Sequence, residues 1–66
     1  MNIGTIKKWI DSRGFGFIKA DDGSEYFCHI TALTSGFKPQ EGLRVRFVIG
    51  LDPKNNRECA QQVRVA

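Results

Sequence analysis

Apolar and polar residues alternate over short stretches of this chain, and a glycine or a turn sequence interrupts each stretch. No window repeats apolar residues at i, i+3, i+4 and i+7 for long enough to make an amphipathic helix. Short alternating runs with turn signals about ten residues apart predict an all-β barrel or sandwich. Strands are expected at about 2–10, 14–20, 25–31, 43–50 and 57–65. Asp11-Ser12 and Asp21-Asp22-Gly23-Ser24 supply turns through local hydrogen bonds and tolerance of positive φ, and Asp52 to Asn56 supplies another. Thr31 to Gln40 is the one longer connection, with Gly36 and Pro39 against a strand there. Five strands in so short a chain predict a small closed antiparallel β-barrel, because closure removes edges that nothing else could cover.

Side-chain parity then separates the faces of each strand. In the second strand Arg13, Phe15, Phe17 and Lys19 share one side, and Gly14, Gly16, Ile18 and Ala20 share the other. In the third, Glu25, Phe27, His29 and Thr31 oppose Tyr26, Cys28, Ile30 and Ala32. A pair of phenylalanines on one face ordinarily reads as core. Here that face would carry Arg13 and Lys19 into the barrel, whereas the Gly-Gly-Ile-Ala face is small and uncharged, as a narrow interior requires. The assignment therefore places Phe15, Phe17, Phe27 and His29 outside, and Gly14, Gly16, Ile18, Tyr26, Cys28 and Ile30 inside. A short turn makes the two strands antiparallel neighbours, so the four outward side chains form one patch.

Composition changes this picture little. The 66 residues carry ten Lys/Arg against seven Asp/Glu, a formal charge of +3. That balance is too mild to name a partner. The distribution says more: Lys7, Lys8, Arg13, Lys19 and Lys38 lie in the part of the chain that holds six of the seven aromatic residues. Aromatic rings among cations suit single-stranded nucleic acid, since bases stack on planar side chains at about 1–3 kcal/mol each and cations hold the phosphates. A duplex hides its base faces, so unpaired strands are the expected partner. His29 could stack or bond a base edge, and Glu25 could accept from an exocyclic amine.

Cys28 and Cys59 follow no metal-binding spacing and read as reduced, buried thiols. Cys28 and His29 are adjacent on a strand and point to opposite faces, which argues against a shared metal. No carboxylate pair or nucleophile–base spacing suggests an enzyme. The opening MNIGTIKKWI lacks the apolar run of a secretory leader, so a cytoplasmic protein is expected.

Arg13-Gly14-Phe15-Gly16-Phe17-Ile18 resembles the first ribonucleoprotein motif, and Tyr26-Phe27-Cys28-His29 resembles the second. Their order, with Gly4 to Lys7 before them and Glu41-Gly42-x-x-Val45-x-Phe47 after, is similar to the bacterial cold-shock proteins over nearly the whole chain. The resemblance implies one cold-shock-like domain over 1–66 with a five-stranded antiparallel OB-type barrel. It also implies a monomer that binds single-stranded RNA or DNA as an RNA chaperone or a regulator of transcription or translation. No cofactor, metal, small-molecule substrate, membrane contact or catalysis goes with it. Lys7, Arg13, Phe15, Phe17, Phe27 and His29 match the family's binding positions. Glu25 sits where the family usually has Asp, and Phe37 matches a loop aromatic that stacks a further base.

Two departures bear on affinity. Where the family has Lys-Trp-Phe-Asn, this chain has Lys7-Lys8-Trp9-Ile10-Asp11. Without gaps Lys8 replaces the stacking Trp; with one insertion Trp9 is that Trp. Either correspondence leaves Trp9 near the patch edge, and a bulge near 7–8 is expected because Lys8 does not suit the interior. Ile30 stands where the family often has Phe. Both departures trim the stacking surface, so weaker binding than that of a typical member is expected. The alternative is a barrel that kept the fold and turned its aromatic face to a protein partner.

Overall fold

The computed structural model describes every residue except Met1, Ser35, Pro53 and Asn55. Five strands follow in chain order: β1 (Asn2–Ile10), β2 (Phe15–Ala20), β3 (Glu25–His29), β4 (Arg44–Asp52) and β5 (Arg57–Val65). They close into a barrel in the order β1-β2-β3-β5-β4. Strand directions cannot alternate all the way round a ring of five, so at least one pairing must be parallel. That pairing is β3–β5, through Phe27 and Cys59, while the other four are antiparallel. Pro53 and Asn55 of the expected β4–β5 turn lie outside the described residues.

The interior is filled by Ile6, Ile18, Cys28, Val45, Phe47 and Val63, each exposed by less than 2%. Full burial of such side chains is worth about 1.5–3 kcal/mol apiece, the main force closing so small a barrel. Tyr26 is half-buried and leans on Phe47, with ring centroids 5.6 Å apart. Gly16 is buried because nothing larger fits: a Cβ there would overlap the Lys8 carbonyl oxygen and the Trp9 ring.

Two irregularities break the alternation. On β1 the register steps from Ile6–Ile18 to Lys8–Phe17, so Lys7 is the extra residue of a bulge, as the paired lysines suggested. On β5 the register steps from Arg46–Arg64 to Val48–Gln61, and the extra residue is accommodated at Gln62, with φ of 51°. The second bulge lets Ala60 and Val63, three residues apart, both point inward.

β3 ends at His29, two residues before the expected end, and Ile30–Ala32 form a 3-10 turn. This corrects the placing of Ile30. Its side chain is 49% exposed instead of lining the barrel, because strand parity no longer applies once the backbone curls. Gly14 likewise belongs to the β1–β2 turn, where its φ of 73° suits a residue without Cβ and its N–H donates to the Ile10 carbonyl at 2.9 Å.

Candidate nucleic-acid interface

The β2–β3 hairpin builds the site. Its register pairs Phe15 with His29, Phe17 with Phe27 and Lys19 with Glu25. Directly opposite residues project to the same side, and the intervening Gly16, Ile18 and Cys28 are buried, so this row points outward. The rings form a continuous surface: Phe15 and Phe27 are 5.3 Å apart between centroids, Phe17 and Phe27 6.0 Å, Phe15 and Phe17 6.3 Å. His29 continues it, 6.4 Å from Phe27 and tilted by 38°. Each phenylalanine is half-buried by its neighbours and keeps one side open to solvent.

The row extends onto both adjoining strands. Lys8 stands opposite Phe17, and Ile10 opposite Phe15. On the other flank Cys59 is in register with Phe27. Lys8 therefore holds the place beside Phe17 on the aromatic face, which fits the ungapped correspondence. Trp9 is corrected by the same register: it faces Gly16 on the opposite side of β1 and packs against the core. Phe37 also turns inward, half-buried against the core, and makes no ring contact with the patch among the described residues. Of the ten sequence-predicted positions, Lys7, Lys8, Phe15, Phe17, Glu25, Phe27 and His29 thus meet on one face, while Arg13 is exposed on the adjoining β1–β2 turn.

Charge frames the rings. Lys7, lifted out by the bulge, reaches across to Glu25 at 2.9 Å. The hydrogen bond and charge of Lys7 hold the Glu25 carboxyl below its usual range. His29 is oriented by the turn it caps: its Nδ1 accepts from the Thr31 backbone N–H at 3.2 Å and lies 3.0 Å from the Thr31 hydroxyl. In the neutral ring the proton then sits on Nε2, which leaves a donor for a ligand.

Beside the rings runs a groove of about 590 Å³ between the 3-10 turn and β5. Phe27 and His29 stand on one wall, Thr31 on the turn with Thr34 in the segment that follows it, and Gln61 and Gln62 on β5. Sequence reasoning missed this wall, because it depends on the parallel β3–β5 pairing and the Gln62 bulge. The spacing of Ala60 and Val63 was the available signal.

Elsewhere, Arg44 makes a bidentate pair with Asp21 at 2.7 and 2.9 Å and also donates to Thr5 at 3.1 Å. That pairing holds Asp21 below its usual range. Cys28 and Cys59 are buried free thiols, and burial pushes the Cys28 thiol up to about 11. Among the described residues no group of three His, Cys, Asp or Glu is placed to hold a metal ion, and no helix is long and apolar enough to cross a membrane.

Comparison with known proteins agrees with the geometry. The model of the "'Cold-shock' DNA-binding domain" matches residues 2–66. The chain is 45% identical to the cold shock-like protein CspA of Stigmatella aurantiaca over 67 aligned positions, covering 97% of this chain and 96% of that one. It is 38% identical to the cold shock protein CspA of Rhizobium meliloti over 69 positions, covering all of both. To the major cold shock protein CspA of Pseudomonas aeruginosa it is 44% identical over 48 positions, 70% of each chain. Barrel, aromatic face and sequence agree, and the chain belongs to the cold-shock domain family, whose members bind nucleic acid and are not enzymes.

Proposed function

We propose that this protein binds single-stranded RNA or DNA by stacking bases on Phe15, Phe17 and Phe27, with His29 at the end of the row. In this reading it acts as an RNA chaperone or a regulator of transcription or translation, as a cytoplasmic monomer whose residues 1–66 work as one domain. The observation that carries the reading is the outward row of three phenylalanines, in a chain whose core is complete without them. Rings 5–7 Å apart present faces and edges on which successive bases can lie, and each stack contributes about 1–3 kcal/mol. Lys8 beside Phe17, with Lys7 and Arg13 at the margins, supplies phosphate contacts.

A second reading, a protein-interaction surface, draws on Lys8 in the aromatic row and on exposed Ile30 beside His29. One titration separates the two. Fluorescence anisotropy of a labelled oligothymidine of about 6 nucleotides, within the site size of one OB fold, is measured at two salt concentrations beside a duplex of equal length. Salt-dependent binding of the single strand with little binding of the duplex supports stacking. No binding of any single strand at low salt moves the assignment to the protein partner.

A further inference from the structure

Arg46 and Arg64 stand directly opposite each other on antiparallel β4 and β5. Both are exposed, and the neighbours that flank them on the inward side, Val45, Phe47 and Val63, are buried completely. Like charges in this position destabilise a sheet. Neither arginine has an acidic partner within ion-pair distance among the described residues. Arg44, two residues before Arg46 on the same strand, shows the contrast, since Asp21 holds it with two hydrogen bonds. On β1 the residue in register with Arg46 is Ile3, which brings no acid either. A sheet that breaks a local pairing rule without compensation often does so at a functional position.

The position of the pair relative to the aromatic face gives it a use. The groove beside Phe27 and His29 runs along the 3-10 turn to Gln61 and Gln62, and Arg64 is the second residue beyond Gln62. The segment that follows the turn is fastened to β5 at this end, where Thr34 N–H and the Thr34 hydroxyl donate to the Val63 carbonyl at 2.9 and 3.0 Å. Val63 immediately precedes Arg64, so the arginine pair comes next along β5, just beyond the point where this fastening ends the groove.

We propose that Arg46 and Arg64 form a second phosphate-binding site, occupied by the backbone of the same single strand after it leaves His29 along the groove. The inference rests on the stacking reading above. A guanidinium matches the geometry of a phosphate with paired donors, and a phosphate between two arginines cancels their repulsion. The site adds length and affinity to the bound strand without reading its sequence.

The test compares two strands on the intact chain and on Arg46→Gln/Arg64→Gln. An oligothymidine of about 6 nucleotides fills the rings alone, and one of about 30 can also reach β5. The variant removes a repulsion, so it is expected to melt no lower than the parent. The proposal predicts that the short strand binds the variant within about twofold of the parent. The long strand binds about tenfold more weakly at low salt, and its salt slope falls by about 1.4, from two lost contacts at about 0.7 each. Equal effects on the two strands, or none on the long one, overturn the proposal. If the parent binds neither strand, the stacking reading itself fails and this site falls with it.

Discussion

Phe17 and Phe27 stand opposite each other in register on β2 and β3, their ring centroids 6.0 Å apart and their planes inclined edge to face at 74°, on the outside of a barrel whose core excludes them. Residues so placed add little to closing the barrel, and their loss is expected to fall on ligand binding.

Lys8 shares that row, opposite Phe17. Lys8→Trp puts a stacking ring where the chain has a cation and enlarges the aromatic surface by one position. Affinity for oligothymidine is expected to rise by about 1–2 kcal/mol, roughly five- to thirtyfold, with a shallower salt dependence because one cation is gone. Titrations at two salt concentrations check both parts. An unchanged affinity would mean that the row ends at Phe17.

Gly16 separates the two stacking phenylalanines of β2 and lies under Trp9. In Gly16→Ala the new methyl meets the Lys8 carbonyl oxygen, which the β1–β2 ladder holds in place. A loss of about 1–3 kcal/mol is expected, read as a lower midpoint in urea. Phe15 and Phe17 would shift with the strand, so binding is expected to weaken as well.

The Arg46–Arg64 repulsion has a consequence for stability that needs no ligand. Arg64→Glu turns it into a cross-strand attraction. Stability is expected to rise by about 0.2–1 kcal/mol, a few degrees in melting temperature at low salt, and the gain should shrink as salt is added.

Acid acts through two exposed pairs. Glu25 with Lys7 and Asp21 with Arg44 both have carboxyls held below their ordinary values. The unfolded chain therefore binds these protons at higher pH than the folded chain does. Their contribution is fully present above the unfolded values, near 4.5 for Glu25 and 3.8 for Asp21, and is lost as pH falls through the folded ones. Melting temperature followed from pH 7 to 3 is expected to fall at the acid end, with the fall reduced in Asp21→Asn. The same acid range frees Lys7 from Glu25.

Much of this was legible in the alternation of residues. The charged flanks of Phe15 and Phe17 against the bare Gly16 and Ile18 face placed the rings outside, and the register agrees. What parity could not show lies wherever the chain leaves strict alternation. Ile6 and Trp9 both lean inward although three residues apart, because Lys7 is an extra residue, and Ala60 and Val63 repeat the pattern around Gln62. Ile30 escaped because β3 curls into a 3-10 turn after His29, and Phe37 because a loop carries no parity at all. The cross-strand meeting of Arg46 and Arg64 needed the β4–β5 register, which one strand's pattern does not contain.

Stacking of bases on the outward phenylalanines is put to the test by Phe17→Ala and Phe27→Ala in calorimetric titration with a short oligothymidine. Trp9 sits on the other face of β1, so a direct heat signal is the better readout. Each variant is predicted to lose about 1–3 kcal/mol of binding, five- to about 150-fold, with its melting temperature within a few degrees of the parent. Binding at parental strength by both variants, each still folded, would mean that bases do not stack on these rings.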